Sequence, residues 1–178
     1  MQLKSIITAS VIAVLLTTSS SSIAGLDVGD KAPNFSLQNQ NTITHALSDY
    51  EGQWVVLYFY PKDDTPGCTT QACDFRDAVK RIIVSKAVVF GLSLDSVASH
   101  KLFAEKYNLP FSLLADETGE VSKLYDSLRK LFGYAKRNTF IVNPKGNIAK
   151  IYLSVDPKTH SKMVLNDLDR LQKSAGKT

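Results

Sequence analysis

Two residues whose chemistry is covalent sit close together in this chain. Cys68 and Cys73, its only cysteines, both lie within "PKDDTPGCTTQACDFRD", residues 61–77. A pair five positions apart could be a structural disulfide, two soft metal ligands or the halves of a redox reaction. On one helix, five residues turn about 500° and rise about 7.5 Å, which puts the Cα atoms ~8.7 Å apart. A disulfide needs them within about 7 Å. Such a bond could form only if the helix opened, and so short a loop removes little unfolded-state entropy. The pair is therefore a poor staple. As metal ligands the thiolates would need further donors, and His45, His100 and His160 are scattered and read as surface residues. The third reading is a reactive thiol. Thr65-Pro66-Gly67 directly precedes Cys68, and Pro66 suits the first turn of a helix. Cys68 would then sit where free backbone N–H groups and the helix dipole favour a thiolate. Asp63 and Asp64 oppose that charge, so a cation from elsewhere in the fold is required.

The elements that must position this segment can be read from hydrophobic pattern. Gly25 to Leu37 reads as extended. "WVVLYFY", residues 54–60, is a continuous apolar and aromatic run, hence a strand buried on both faces. Ala72, Phe75, Ala78, Val79, Ile82 and Ile83 recur at helical spacing. "AVVFGLSL" (87–94) is a second buried strand, and residues 96–107 form a helix that Leu109-Pro110 stops. "FSLLAD" (111–116) is a short strand, followed by a helical pattern over 121–128. Strands at 138–143 and 148–155 flank Pro144-Lys145-Gly146-Asn147, the turn of an antiparallel pair. Residues 159–173 close the chain as an amphipathic helix. Strand and helix alternating, then a hairpin and a last helix, predict an α/β sandwich with a mixed central sheet in one domain. Trp54, Tyr58 and Tyr60 are assigned to core packing.

The first 24 residues stand apart. Lys4 supplies a positive start, Ile6 to Thr17 an apolar run, and Ser22-Ile23-Ala24 the small residues of a cleavage site. This is the pattern of a secretory signal peptide cut after Ala24. The rival is an uncleaved anchor, but the apolar run is shorter than the ~20 residues a spanning helix needs. No cysteine lies near the cut, which excludes lipid attachment there. The expected organisation is a signal peptide over 1–24 and one domain over 25–178, exported and most simply periplasmic, without stable membrane association once cut. That domain carries 20 basic and 17 acidic residues, a net charge of +3. No run of like charge points to nucleic acid. The basic stretch from Arg129-Lys130 to Lys136-Arg137 reads as a solvated face.

The segment "YFYPKDDTPGCTTQACDFRD" resembles the active site of peroxiredoxins, with Pro61, Thr65 and Cys68 in the P-x-x-x-T-x-x-C pattern. The second cysteine five residues on is similar to the peroxiredoxin Q, or bacterioferritin comigratory protein, subfamily. The likeness continues through "GLSLDSVASHKLFAEKYNLPFSLLAD" and "RNTFIVNPKG". It implies a thioredoxin-like fold, with the mixed sheet flanked by helices, and thiol-dependent reduction of hydrogen peroxide and organic hydroperoxides without a cofactor. On this resemblance Cys68 is the peroxidatic cysteine, which becomes a sulfenic acid. Cys73 is the resolving cysteine, which condenses with it to an intramolecular disulfide. Thr65 binds thiolate and peroxide through its hydroxyl, while Pro61, Pro66 and Gly67 shape the loop. Arg137, a surface residue from the pattern alone, becomes the cation beside the thiolate. The resemblance also implies a thioredoxin-like or other dithiol reductant and a monomer or weak dimer. The signal peptide is its departure from the many cytoplasmic members.

Two other readings compete. A general thiol–disulfide oxidoreductase would normally show C-x-x-C. An exported copper chaperone would use both thiolates, but those of related sandwich fold space their cysteines by three residues.

Overall fold

The computed structural model describes residues 25–84 and 86–176; the expected signal peptide lies outside them. In chain order the elements are β1 (Ser36–Gln38), β2 (Thr44–Ala46), a 3-10 turn (Leu47–Tyr50), β3 (Trp54–Phe59), α1 (Pro66–Val84) and β4 (Ala87–Ser93). Then come α2 (Val97–Tyr107), β5 (Ser112–Ala115), α3 (Glu120–Leu124), β6 (Leu128–Arg129), β7 (Tyr134–Ala135), β8 (Thr139–Val142), β9 (Ile148–Tyr152) and α4 (His160–Ala175). Five strands form a mixed sheet in the order β5-β4-β3-β8-β9. The β3–β4 and β4–β5 pairs are parallel, and the β3–β8 and β8–β9 pairs antiparallel.

The central strand β3 explains the two layers. Its side chains alternate across the sheet, and both sets are buried, as its continuous apolar sequence requires. Trp54, Val56, Tyr58 and Tyr60 join α1, α2 and α4 in one core, with Phe75, Ile82, Phe103, Val164 and Leu168. Val55, Leu57 and Phe59 join the other core, with Phe35, Leu47, Val121, Tyr125 and Phe140 beneath the β1–β2 hairpin and α3. This is the mixed α/β sandwich expected from the alternation of elements.

Helix α1 is seated by one stripe. Cys68, Gln71, Ala72, Phe75 and Ile82 are its buried residues, spaced as one helical face. Phe75 stacks on Tyr58 with ring centroids 4.8 Å apart, worth about 0.5–1.5 kcal/mol beyond area burial. Gly91 makes room for Tyr58, since a Cβ there would lie 2.6 Å from its hydroxyl. Cys68 is buried because it extends the Phe75 stripe, and Cys73, roughly 140° around the helix, is only half-buried.

Some expectations need correction. The helical pattern over 121–128 yields only Glu120–Leu124, after which Leu128–Arg129 pairs antiparallel with Tyr134–Ala135. Ser127, buried and bonded to the Tyr125 carbonyl, occupies the break. The β1–β2 hairpin was not expected, because its strands are three residues long and none of their residues is fully buried. Helix α2 begins one residue late because Ser96 is its N-cap, accepting from the Ser99 N–H.

Candidate active site

The antiparallel register of β3 and β8 builds the site. Tyr58 faces Thr139, so the chain leaving β3 and the chain entering β8 meet at one end of the sheet. The first passes through Pro61 to Thr65 into the start of α1; the second brings Arg137. Arg137 is held on both sides: Asn138 accepts from the Phe59 N–H at 2.8 Å, and the Arg137 carbonyl accepts from the Val155 N–H at 3.1 Å. Its guanidinium turns inward, where Nη2 donates to Cys68 Sγ at 3.2 Å and Nη1 donates to Gln71 Oε1 at 2.9 Å. Arg137 is thus half-buried, not the solvated residue its basic neighbours suggested. Arg129 and Lys130 of the same stretch are exposed as expected.

Gly67 lets that arginine in. A Cβ there would stand 2.9 Å from Arg137 Nη2. Pro66 is the first residue of α1, where its missing N–H costs nothing. Thr65 precedes it and its carbonyl accepts from the Thr69 N–H at 2.8 Å. The Thr65 hydroxyl donates to the Lys62 carbonyl at 3.1 Å, which differs from the expected bond to the thiol. A donating hydroxyl keeps acceptor capacity. Pro61 and Arg137 line an open cleft of about 290 Å³ together with Tyr134, Lys136, Ser154 and Val155. The sequence-expected residues Pro61, Thr65, Pro66, Gly67, Cys68 and Arg137 are therefore gathered in one place. Cys73 lies on the same continuous helix as Cys68, and both thiols are free.

The two aspartates that oppose a thiolate are each answered locally. Asp63 is buried and accepts from the Tyr60 hydroxyl at 2.7 Å, the Ser99 hydroxyl at 2.7 Å and His100 Nδ1 at 2.9 Å. Tyr60 therefore does more than pack. Burial, then Asp63, holds its hydroxyl protonated far above the usual phenol range. Asp64, in the left-handed region at φ 55°, bonds Lys106 and the Tyr107 hydroxyl, which hold its carboxyl below the usual range.

The histidines correct the sequence reading. His100 and His160 are fully buried and His45 is half-buried against Tyr50 and Asn39. Their neighbours in sequence are polar, and only the packing of α2 and α4 on the sheet turns them inward. Among the described residues no three His, Cys, Asp or Glu side chains converge as a metal site would need. Sequence reasoning also missed Gln71. Its signal was available: a polar residue on the buried stripe of α1, one turn after Cys68.

Comparison with known proteins agrees with this arrangement. Residues 28–151 match the AhpC/TSA family. The chain is 42% identical over 149 residues to peroxiredoxin Bcp of Bacillus subtilis, covering 80% of this chain and 95% of that protein. A crystal structure of a cysteine-to-serine mutant of Xylella fastidiosa PrxQ superposes with a TM-score of 0.78 at 32% identity, covering 83% and 98% of the two chains. The bacterioferritin comigratory protein of Xanthomonas campestris, studied for alkyl peroxide reduction, superposes at 0.77 with 29% identity, covering 82% and 99%. The chain belongs to the AhpC/TSA family, and within it to the thiol peroxidases of the peroxiredoxin Bcp and Q kind.

Proposed function

We propose that Cys68 reduces hydrogen peroxide and organic hydroperoxides and that Cys73 resolves the product. The Cys68 thiolate attacks one peroxide oxygen, the O–O bond breaks, and the alcohol or water leaves with a proton. Cys68 becomes a sulfenic acid. The Cys73 thiol then attacks that sulfur, water leaves, and a disulfide joins the two. An external dithiol, of the thioredoxin kind or another, returns two electrons. The observation that carries this reading is the Arg137 Nη2–Cys68 Sγ bond at the first turn of α1. Arginine's fixed fork of donors suits both a thiolate and peroxide oxygens. Thr65, with its remaining acceptor capacity, is assigned to orient the peroxide, and Pro61, Pro66 and Gly67 to shape the loop. The protein works as a monomer or weak dimer after export, with the chain cut behind Ala24.

Single-turnover thiol counting tests the division of labour. Cys68→Ser should lose all reaction with peroxide, because a serine hydroxyl is not ionised. Cys73→Ser should consume about one equivalent and then stall until a small external thiol is added. Equal and complete loss in both variants would overturn the assignment.

A further inference from the structure

We infer that His160 is a positioning residue for the peroxide step: it fixes Gln71, and through Gln71 the Arg137 guanidinium over Cys68, and the same brace holds the first turns of α1 closed. The inference rests on the proposed function and concerns a residue far from Cys68 in sequence.

The hydrogen-bond chain has only one consistent direction. An arginine can only donate, so the Gln71 atom 2.9 Å from Arg137 Nη1 is the carbonyl oxygen. The Gln71 amide nitrogen is then left facing His160 Nδ1 at 2.9 Å. Nδ1 must accept, which makes His160 the neutral Nε2–H tautomer. Burial and the nearby Arg137 charge push its pKa down to about 4, consistent with a neutral ring. Space filling alone does not call for histidine here. The ring stands edge-on to Phe75 and Tyr152 in the core. Its Nε2 has no hydrogen-bond partner among the described residues. A buried unpaired donor is costly, and what the imidazole offers over a hydrocarbon is the acceptor at Nδ1.

The brace also crosses two elements with different fates. His160 opens α4, which Val164, Leu165 and Leu168 anchor in the core. Gln71 lies between the two cysteines, inside the part of α1 that must unwind before a disulfide can form. Unwinding breaks both Gln71 bonds. Losing the His160 acceptor should therefore slow the peroxide step, by loosening Arg137, and speed disulfide formation, by easing the opening. A general loss of packing would loosen α1 whether or not an acceptor faces Gln71, so the acceptor is identified by comparing variants of equal shape that keep or lack it.

The test compares His160→Leu with His160→Asn. These have nearly the same shape, but asparagine keeps an acceptor at the branch where Nδ1 sits. With the mature chain and hydrogen peroxide, rapid quenching and alkylation give the rate of Cys68 thiol loss and the rate of disulfide formation. His160→Leu should lower the first three- to tenfold and raise the second at least twofold; His160→Asn should restore both to within twofold of wild type. In a Gln71→Met background, His160→Leu should add nothing. Identical Leu and Asn variants, or an undiminished leucine effect without Gln71, would overturn the inference. A 15N imidazole spectrum of the unmodified reduced protein tests it without any substitution, because a protonated Nδ1 is incompatible with it. A wild-type protein unreactive toward peroxide would instead defeat the functional reading itself.

Discussion

Replacing Gly67 with alanine should separate stability from activity with one methyl group. Gly67 is the second residue of α1, and ordinary helical backbone gives no conformational reason for glycine there. The reason is contact: the added Cβ would lie 2.9 Å from Arg137 Nη2, where ordinary van der Waals contact begins at 3.4 Å. The nearest atom is the tip of a flexible side chain, so the guanidinium retreats by about half an ångström while the helix stays put. That same nitrogen donates to Cys68 at 3.2 Å, and its twin holds Gln71 at 2.9 Å. A hydrogen bond to a charged group is worth ~1.5–3 kcal/mol. Losing roughly half of it raises the barrier by about 0.75–1.5 kcal/mol, roughly a four- to twelvefold slower peroxide reaction. Alanine meanwhile favours helix over glycine by up to ~1 kcal/mol, so the melting temperature should hold or rise. The assay is rapid mixing of reduced protein with hydrogen peroxide, quenching, and counting of Cys68 thiols, beside a thermal melt. A rate within twofold of wild type, or a melting temperature several degrees lower, would refute the reasoning.

Arg137→Met removes the cation and its donors while keeping much of the bulk, and should slow the peroxide reaction at least tenfold, about 1.4 kcal/mol; an unchanged rate constant would return Arg137 to the solvated surface. Amide exchange over residues 67–74 should be slow in reduced protein and much faster after one equivalent of peroxide, with little change beyond Ala78, because the disulfide cannot span an intact helix. His160 is fully buried with its pKa lowered from 6.5 to about 4. Between those values the unfolded chain takes up a proton that the folded one refuses, so stability should fall as pH falls through that window, by about 3 kcal/mol in all. His160→Asn should flatten that part of the stability profile in denaturant melts. Asp63→Ala strips three donors of their buried acceptor and should cost at least ~2 kcal/mol, read as a lower urea midpoint. Mature protein from its native host should begin at Gly25, and an intact Met1 or Gln2 on N-terminal sequencing would restore the anchor or a cytoplasmic reading.

The alternation of the longer elements along the chain, the buried β3 and the placement of both cysteines on α1 were legible in local pattern. β3 shows as a continuous apolar run and α1 as apolar residues at helical spacing, signals that a stretch of about ten residues displays by itself. Pro66 before Cys68 likewise announced the helix start, because capping is a near-neighbour effect. Short elements escaped: β1, β2, β6 and β7 hold two or three residues each, too few for any period to emerge. The site divides along the same line. Residues 61–73 hold both cysteines and the turn; their types and spacing pointed to a reactive thiol at Cys68, and the division into peroxidatic and resolving cysteine came from the resemblance to peroxiredoxins. The cation did not follow from them. Arg137 reaches Cys68 across 69 residues only because β8 runs antiparallel to β3, so that its start lies beside the end of β3 at one end of the sheet. Gln71 and His160, 89 residues apart, meet only because α1 and α4 pack on one face. A side chain's charge and donors are written in its identity, but its burial and partners are set by contacts between distant elements, and those exist only once the tertiary structure has formed.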